Sequence, residues 1–151
     1  MSPLTFLVVN LSDFSLPNVK TKFLENFWEI GVFIIMRKLN ALLEVLNGYD
    51  LPKNDYAVFG SAPLVIVGMI DDVNDLDVII RPSKWPFQTE GEYLTEDIEF
   101  FDNWPNEDVD NLIDNHSFEY DGVLFIEPKK VIEYKKSMSR DKDRDVWSIF
   151  D

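Results

Sequence analysis

From residue 20 to residue 47 the apolar residues Phe23, Phe27, Ile30, Ile34, Leu39, Leu42, Leu43 and Leu46 recur every three or four positions, the spacing of a helix that buries one side. Gly48 supplies the stop signal. Gly31 and the apolar run at 32–35 weaken the middle of this segment, which leaves open a division into two helices. After the turn "YDLPKND", residues Tyr56–Phe59 read as a buried strand, followed directly by Gly60-Ser61. The next stretch, "APLVIVGMI", points two ways. Its β-branched residues favour a strand, whereas Ser61 as N-cap and Pro63 in a first turn favour a short helix.

Leu76–Ile80 is a second strand, ended by Arg81-Pro82, and residues 97–101 form a third. Residues 105–108, "PNED", open a short helix through Ile113. Ser117–Tyr120 and Val123–Ile126 flank Asp121-Gly122, a two-residue hairpin signal. Pro128 begins a helix to about Met138, and a last helix is expected over 143–150. The first nineteen residues suggest only a short strand at 6–10 and a Ser/Pro-containing turn. The pattern predicts one domain of α/β (α+β) class, built from these short strands and the helices between them.

Composition narrows the chemistry. A chain of 151 residues with 46% hydrophobic residues supports one domain with a real core. Its net charge of −14 argues against direct binding to nucleic acid or to an anionic membrane, and favours recruitment of cations. The apolar run at 30–36 is too short to span a bilayer and the N-terminus lacks the basic region of a signal peptide, so a cytoplasmic location is the default expectation. With no cysteine and a single histidine, His116, a thiolate or multi-histidine metal site is excluded. A metal here would be a hard cation held by oxygens, Mg²⁺ or Mn²⁺. Basic residues are segregated: none lies between Lys84 and Lys129, and then Lys129, Lys130, Lys135, Lys136, Arg140, Lys142 and Arg144 follow closely. Two oppositely charged solvated faces would explain this, as would a cation site opposite a patch suited to polyphosphate.

Asp75 and Asp77 bracket Leu76 at the head of a strand, where residues i and i+2 share a face roughly 6 to 7 Å apart. Two such carboxylates repel, and a divalent cation offsets the repulsion. Gly60 lets a backbone approach a ligand without a side chain in the way, and Ser61 opens the following element where free N–H groups favour phosphate. The plain alternatives are a surface D-x-D and an ordinary strand-to-helix turn. Trp85, Trp104 and Trp147 are candidates for base stacking or for packing, Trp28 belongs to the core, and His116 is a surface or turn residue.

Phe59-Gly60-Ser61, thirteen residues, then Asp75-Leu76-Asp77-Val78 resembles the signature of the nucleotidyltransferase superfamily related to DNA polymerase beta. The spacing lies at the upper limit of that pattern. The tail "YKKSMSRDKDRDVWSIF" resembles that of small stand-alone members, with Arg140, Lys142, Asp143 and Asp145 in a similar run and Asp145 one residue early. The resemblance covers roughly residues 36–151; it implies a mixed β-sheet of four to five strands flanked by helices, and leaves residues 1–35, helical from about residue 20, as an N-terminal extension that packs or oligomerises. It implies a third carboxylate on a later strand, for which Glu99 in "DIEFF" is the natural candidate and Asp97 or Asp102 the alternatives. It further implies Mg²⁺ (or Mn²⁺) held by Asp75, Asp77 and Glu99, and a nucleoside triphosphate gripped by Gly60 and Ser61. Lys135, Lys136, Arg140 and Lys142 would offset its remaining charge. The activity implied is transfer of a nucleoside monophosphate to an unknown acceptor hydroxyl. The alternatives are a catalytically degenerate nucleotide-binding or partner-binding module, such as one component of a toxin–antitoxin-like pair, and an acidic α/β domain without nucleotide chemistry.

Overall fold

A computed structural model describes residues 19–138 of the chain, with side chains from residue 29 onward. The strand expected at 6–10 and the helix expected at 143–150 lie outside the described residues.

Helix α1 (Val19–Asn47) is a single helix of 29 residues. The division into two helices left open by Gly31 does not occur. A mid-helix glycine costs only about 0.5–1 kcal/mol relative to alanine, too little to interrupt a helix held by packing. The buried side of α1 comprises Val32, Met36, Leu39, Leu42, Leu43 and Leu46. Ile30 and Ile34 do not share it, being 59% and 53% exposed. Five residues separate Ile34 from Leu39, which at 3.6 residues per turn is about 140° out of phase, so the upstream stripe runs along a different side of the helix.

Five strands, β1 (Tyr56–Phe59), β2 (Leu76–Ile80), β3 (Ile98–Phe101), β4 (Ser117–Tyr120) and β5 (Val123–Ile126), form one sheet in the order β3-β2-β1-β5-β4. β1 is antiparallel to β2 and parallel to β5, β2 is parallel to β3, and β4 and β5 form the antiparallel hairpin. Asp121 and Gly122 at its tip have φ of 52° and 76°, the positive values a tight hairpin turn requires.

Strand alternation divides the core between two layers. Tyr56, Val58, Leu76, Val78, Ile80, Ile98, Phe100 and Phe125 pack with the buried side of α1. Ala57, Phe59, Ile79 and Ile126 turn to the opposite face, where Leu112 and Ile113 of α4 (Val109–Asn115) and Val131 and Ile132 of α5 (Pro128–Met138) cover them. The chain is therefore a mixed α+β domain with a five-stranded sheet flanked by helices.

Local differences have identifiable causes. The ambiguous "APLVIVGMI" forms α2 (Ser61–Ile66), a six-residue helix. The helix expected from Pro105 starts only at Val109, because Asp108 caps it by accepting a hydrogen bond from the Asn111 amide at 3.0 Å. The preceding turn carries Asn106 at φ 60° and is closed by a bridge between Trp104 and Glu107. A 3₁₀ turn (Pro82–Lys84) and a one-turn α3 (Glu90–Tyr93) fill the Trp/Pro loop. Arg81 ties the end of β2 to α4 through Asp110 and Asp114, at 3.0 and 2.5 Å. No helix among the described residues is long and apolar enough to cross a membrane.

Leu39 has no exposed surface, so Leu39→Ala should cost about 2–5 kcal/mol in chemical denaturation. Leu94, 43% exposed, should lose under about 1 kcal/mol on the same change. Equal losses would contradict the assignment of the α1–sheet layer as core.

Candidate metal and nucleotide site

Register places the candidate residues. Phe59 of β1 lies opposite Asp77 of β2, and Asp77 opposite Glu99 of β3, so one row crosses three strands. By alternation the row faces the layer of α4 and α5. Asp77 and Glu99 are half-buried, and Asp75 is exposed at the bend before β2. Glu99 is thus the carboxylate that stands beside Asp77. Asp97 is exposed and contributes its carbonyl, which accepts from the Leu76 amide at 2.8 Å. Asp102 is exposed beyond the end of β3.

Gly60, immediately after the row, has φ 74° and ψ −139°, a conformation that essentially only glycine adopts. A Cβ built there would lie 2.6 Å from Asp77 Oδ2. The group that approaches the Gly60 backbone is therefore the Asp77 carboxylate itself. Gly60 is also the N-cap of α2, without a side-chain hydrogen bond, and Ser61 is the first helical residue rather than the cap that its type suggested. Asp77 consequently sits beside the positive end of a short helix dipole.

Burial, then the nearby charges of Asp75 and Glu99, push the Asp77 carboxyl up from 3.8 to about 6, against the opposing pull of Lys135. Tyr134 is raised as well, first by burial and then by Asp77 and Glu99. Tyr134 and Lys135 belong to α5, which brings them to the row. The sequence reading did not single out Tyr134. Its signal was present in the helical spacing of Val131, Tyr134 and Lys135 at i, i+3 and i+4, which share a face. Lys136 is half-buried on the same helix. Arg140 and Lys142 lie outside the described residues.

Aromatic rings form the floor of the site. Phe59 meets Phe101, Trp104 and Tyr134 with centroids 5.3, 5.1 and 5.2 Å away, and Trp104 meets Tyr134 at 4.7 Å. Trp104 is only 7% exposed. Its role is packing, and it has no free face on which to stack a base. Trp85 is half-buried with Phe87 and Tyr93 on the opposite layer. Trp147 and the side chain of Trp28 lie outside the described residues. His116 is the C-cap of α4, with its Nδ1 3.5 Å from Glu127 Oε2.

One supporting contact left no local trace in the sequence. Lys38 of α1 reaches Asp72 Oδ1 at 2.7 Å and Asn74 Oδ1 at 3.2 Å, while Asn74 Nδ2 donates to Asp72 Oδ2 at 3.2 Å. This pins the loop that delivers Asp75 to a helix more than thirty residues earlier.

The donor set of Asp75, Asp77 and Glu99 is all oxygen, as a hard cation requires, and its mutual repulsion shows in the raised Asp77. Among the described residues, however, no three His, Cys, Asp or Glu side chains lie close enough together to hold a metal ion. Asp77 and Glu99 stand side by side in the row and Asp75 acts on Asp77 from the bend before β2, but the three form no such group. No protein-family model, curated protein or solved structure matches the chain.

Two outcomes follow. Gly60→Ala should destabilise the protein by about 1–3 kcal/mol from backbone strain alone, with a further loss from the Asp77 contact. In an Asp77→Ala background that further loss should vanish, and a purely additive double-mutant cycle would refute the contact. The second concerns pH. The folded state holds the Asp77 proton more tightly than the unfolded chain, so stability falls as pH rises from 3.8 to about 6 and the penalty is complete above that. In cation-free buffer Asp77→Asn should therefore gain up to about 3 kcal/mol above pH 6 and lose that advantage near pH 4. A gain independent of pH would contradict it.

Proposed function

We propose that the Phe59–Asp77–Glu99 row, with Gly60-Ser61 at its end, binds a nucleoside triphosphate together with Mg²⁺ or Mn²⁺ for nucleotidyl transfer to an acceptor hydroxyl. The observation that carries this reading is the Asp77 carboxylate held against the first turn of α2. A phosphate alone at that turn would face a carboxylate, and like charges at such range are strongly unfavourable. A divalent cation between them removes the conflict, so the arrangement suits a metal–triphosphate better than a free anion. The raised Asp77 describes the same need for positive charge from the protein's side.

On this reading Asp75, Asp77 and Glu99 would hold the cation, whose chemistry when bound is charge neutralisation on phosphate and activation of a hydroxyl. Gly60 and Ser61 present the start of α2 to the phosphates. Lys135 supplies a positive charge opposite Asp77. Tyr134 and the aromatic floor pack beside the row, where Asp77 and Glu99 act on the Tyr134 hydroxyl. A second reading, nucleotide binding without turnover, draws on the lack of a converged three-carboxylate group among the described residues.

Thermal melts with Mg²⁺ and each of the four triphosphates test the binding. At 100 times Kd the gain is about 2.7 kcal/mol, a rise of roughly 5–10 °C for a domain of this size. Asp75→Asn and Asp77→Asn should each abolish it. Melts indifferent to every metal–triphosphate pair would refute both readings. Transfer of label from an α-³²P triphosphate to an acceptor in lysate supports the enzyme, and binding without transfer supports the second reading.

A further inference from the structure

The side of α1 turned away from the sheet carries large exposed apolar residues without a described partner, interspersed with charged ones. Ile30, Phe33 and Ile34 are 59%, 54% and 53% exposed within five residues, and Val45 is 42% exposed further along. Large apolar side chains clustered in this way mark an interaction surface. Beside them runs a groove of about 370 Å³ lined by Phe33, Met36, Arg37, Asn40, Ala41 and Glu44. Arg37 and Glu44 are exposed, and neither has an ion-pair partner among the described residues. They stand seven positions apart, two helical turns, on one side of the helix.

That spacing is self-complementary. We infer that α1 pairs antiparallel with α1 of a second copy, about a two-fold axis between Asn40 and Ala41. Every pair of facing positions is then related by that axis, as an isologous interface requires. Arg37 of each copy meets Glu44 of the other. Phe33 meets the position of Gly48, where no side chain competes for the space, and Gly48 is exposed. Ala41, small and exposed at the crossing, lets the two backbones approach. At about 1.5 Å per residue the helix is about 43 Å long, enough for an extended seam.

The net charge of −14 opposes association at long range. The seam therefore depends on its own alternation of sign, and Arg37 supplies the cation opposite each Glu44. The pairing is independent of the nucleotide reading and does not use the sheet's carboxylate row.

Sedimentation equilibrium of the full chain over a concentration series tests it. Wild type should show twice the 17.6 kDa of one chain. Arg37→Glu alone and Glu44→Arg alone should each shift to monomer, because each places like charges opposite one another. An equimolar mixture of the two variants should recover the double mass, since both facing pairs are again of opposite sign. Phe33→Asp should be monomeric with an unchanged far-UV spectrum. A wild type that stays monomeric throughout the series would overturn the proposal. So would a dimer indifferent to both charge reversals, or a mixture that fails to reassociate.

Discussion

The carboxylate of Asp77 lies so close to Gly60 that no side chain fits between them, and the geometry of the candidate site depends on that contact. It fixes residue 60 as glycine and sets the sharp exit from β1 into α2. It also depends on the antiparallel register in which Phe59 faces Asp77. The same proximity removes water from one side of a carboxylate that already has Asp75 and Glu99 nearby. A charged group in this position costs stability in the free protein. On the proposed reading that cost has a use, because a cation held by the Asp77 carboxylate would offset the charge.

The two-layer core explains how the site can be both rigid and open. Against α1 the sheet buries Leu76, Val78 and Ile98, the neighbours of the acidic residues in sequence, so the strand ends cannot slip without exposing them. On the other face Phe59, Phe101, Trp104 and Tyr134 form a ring-packed floor that ends where Asp77 and Glu99 begin. Lys38 adds an exposed tether on the loop before Asp75. An exposed pair of this kind contributes little to stability; its effect is to restrict where the loop can sit.

Strands β1, β2, β4 and β5 were legible in sequence at their observed bounds because each is short and closed by a strong turn or breaker. Asp121-Gly122 is the clearest example. Helix α1 was legible in extent, but its upstream stripe was not separable from its core stripe, since a count of apolar positions does not register a phase change of about 140°. The opening of α4 was placed too early because Pro105 is a common helix starter, whereas the Asp108 cap and the left-handed Asn106 decide the boundary. Asp77 and Glu99 could each be named from local pattern. Their adjacency comes from pairing across β2 and β3, which no local pattern encodes. Tyr134 and Lys38 reach the site from distant segments and escaped notice for that reason.

Paramagnetic Mn²⁺ tests the central claim most directly, because it broadens only the resonances near its binding site. Titrated below stoichiometry into ¹⁵N-labelled protein, it should selectively broaden the amides of Gly60, Ser61, Asp77 and Glu99, and the effect should disappear in Asp77→Asn. Broadening centred instead on the acidic surface of Asp108, Asp110 and Asp114, or unchanged by loss of Asp77, would contradict the account.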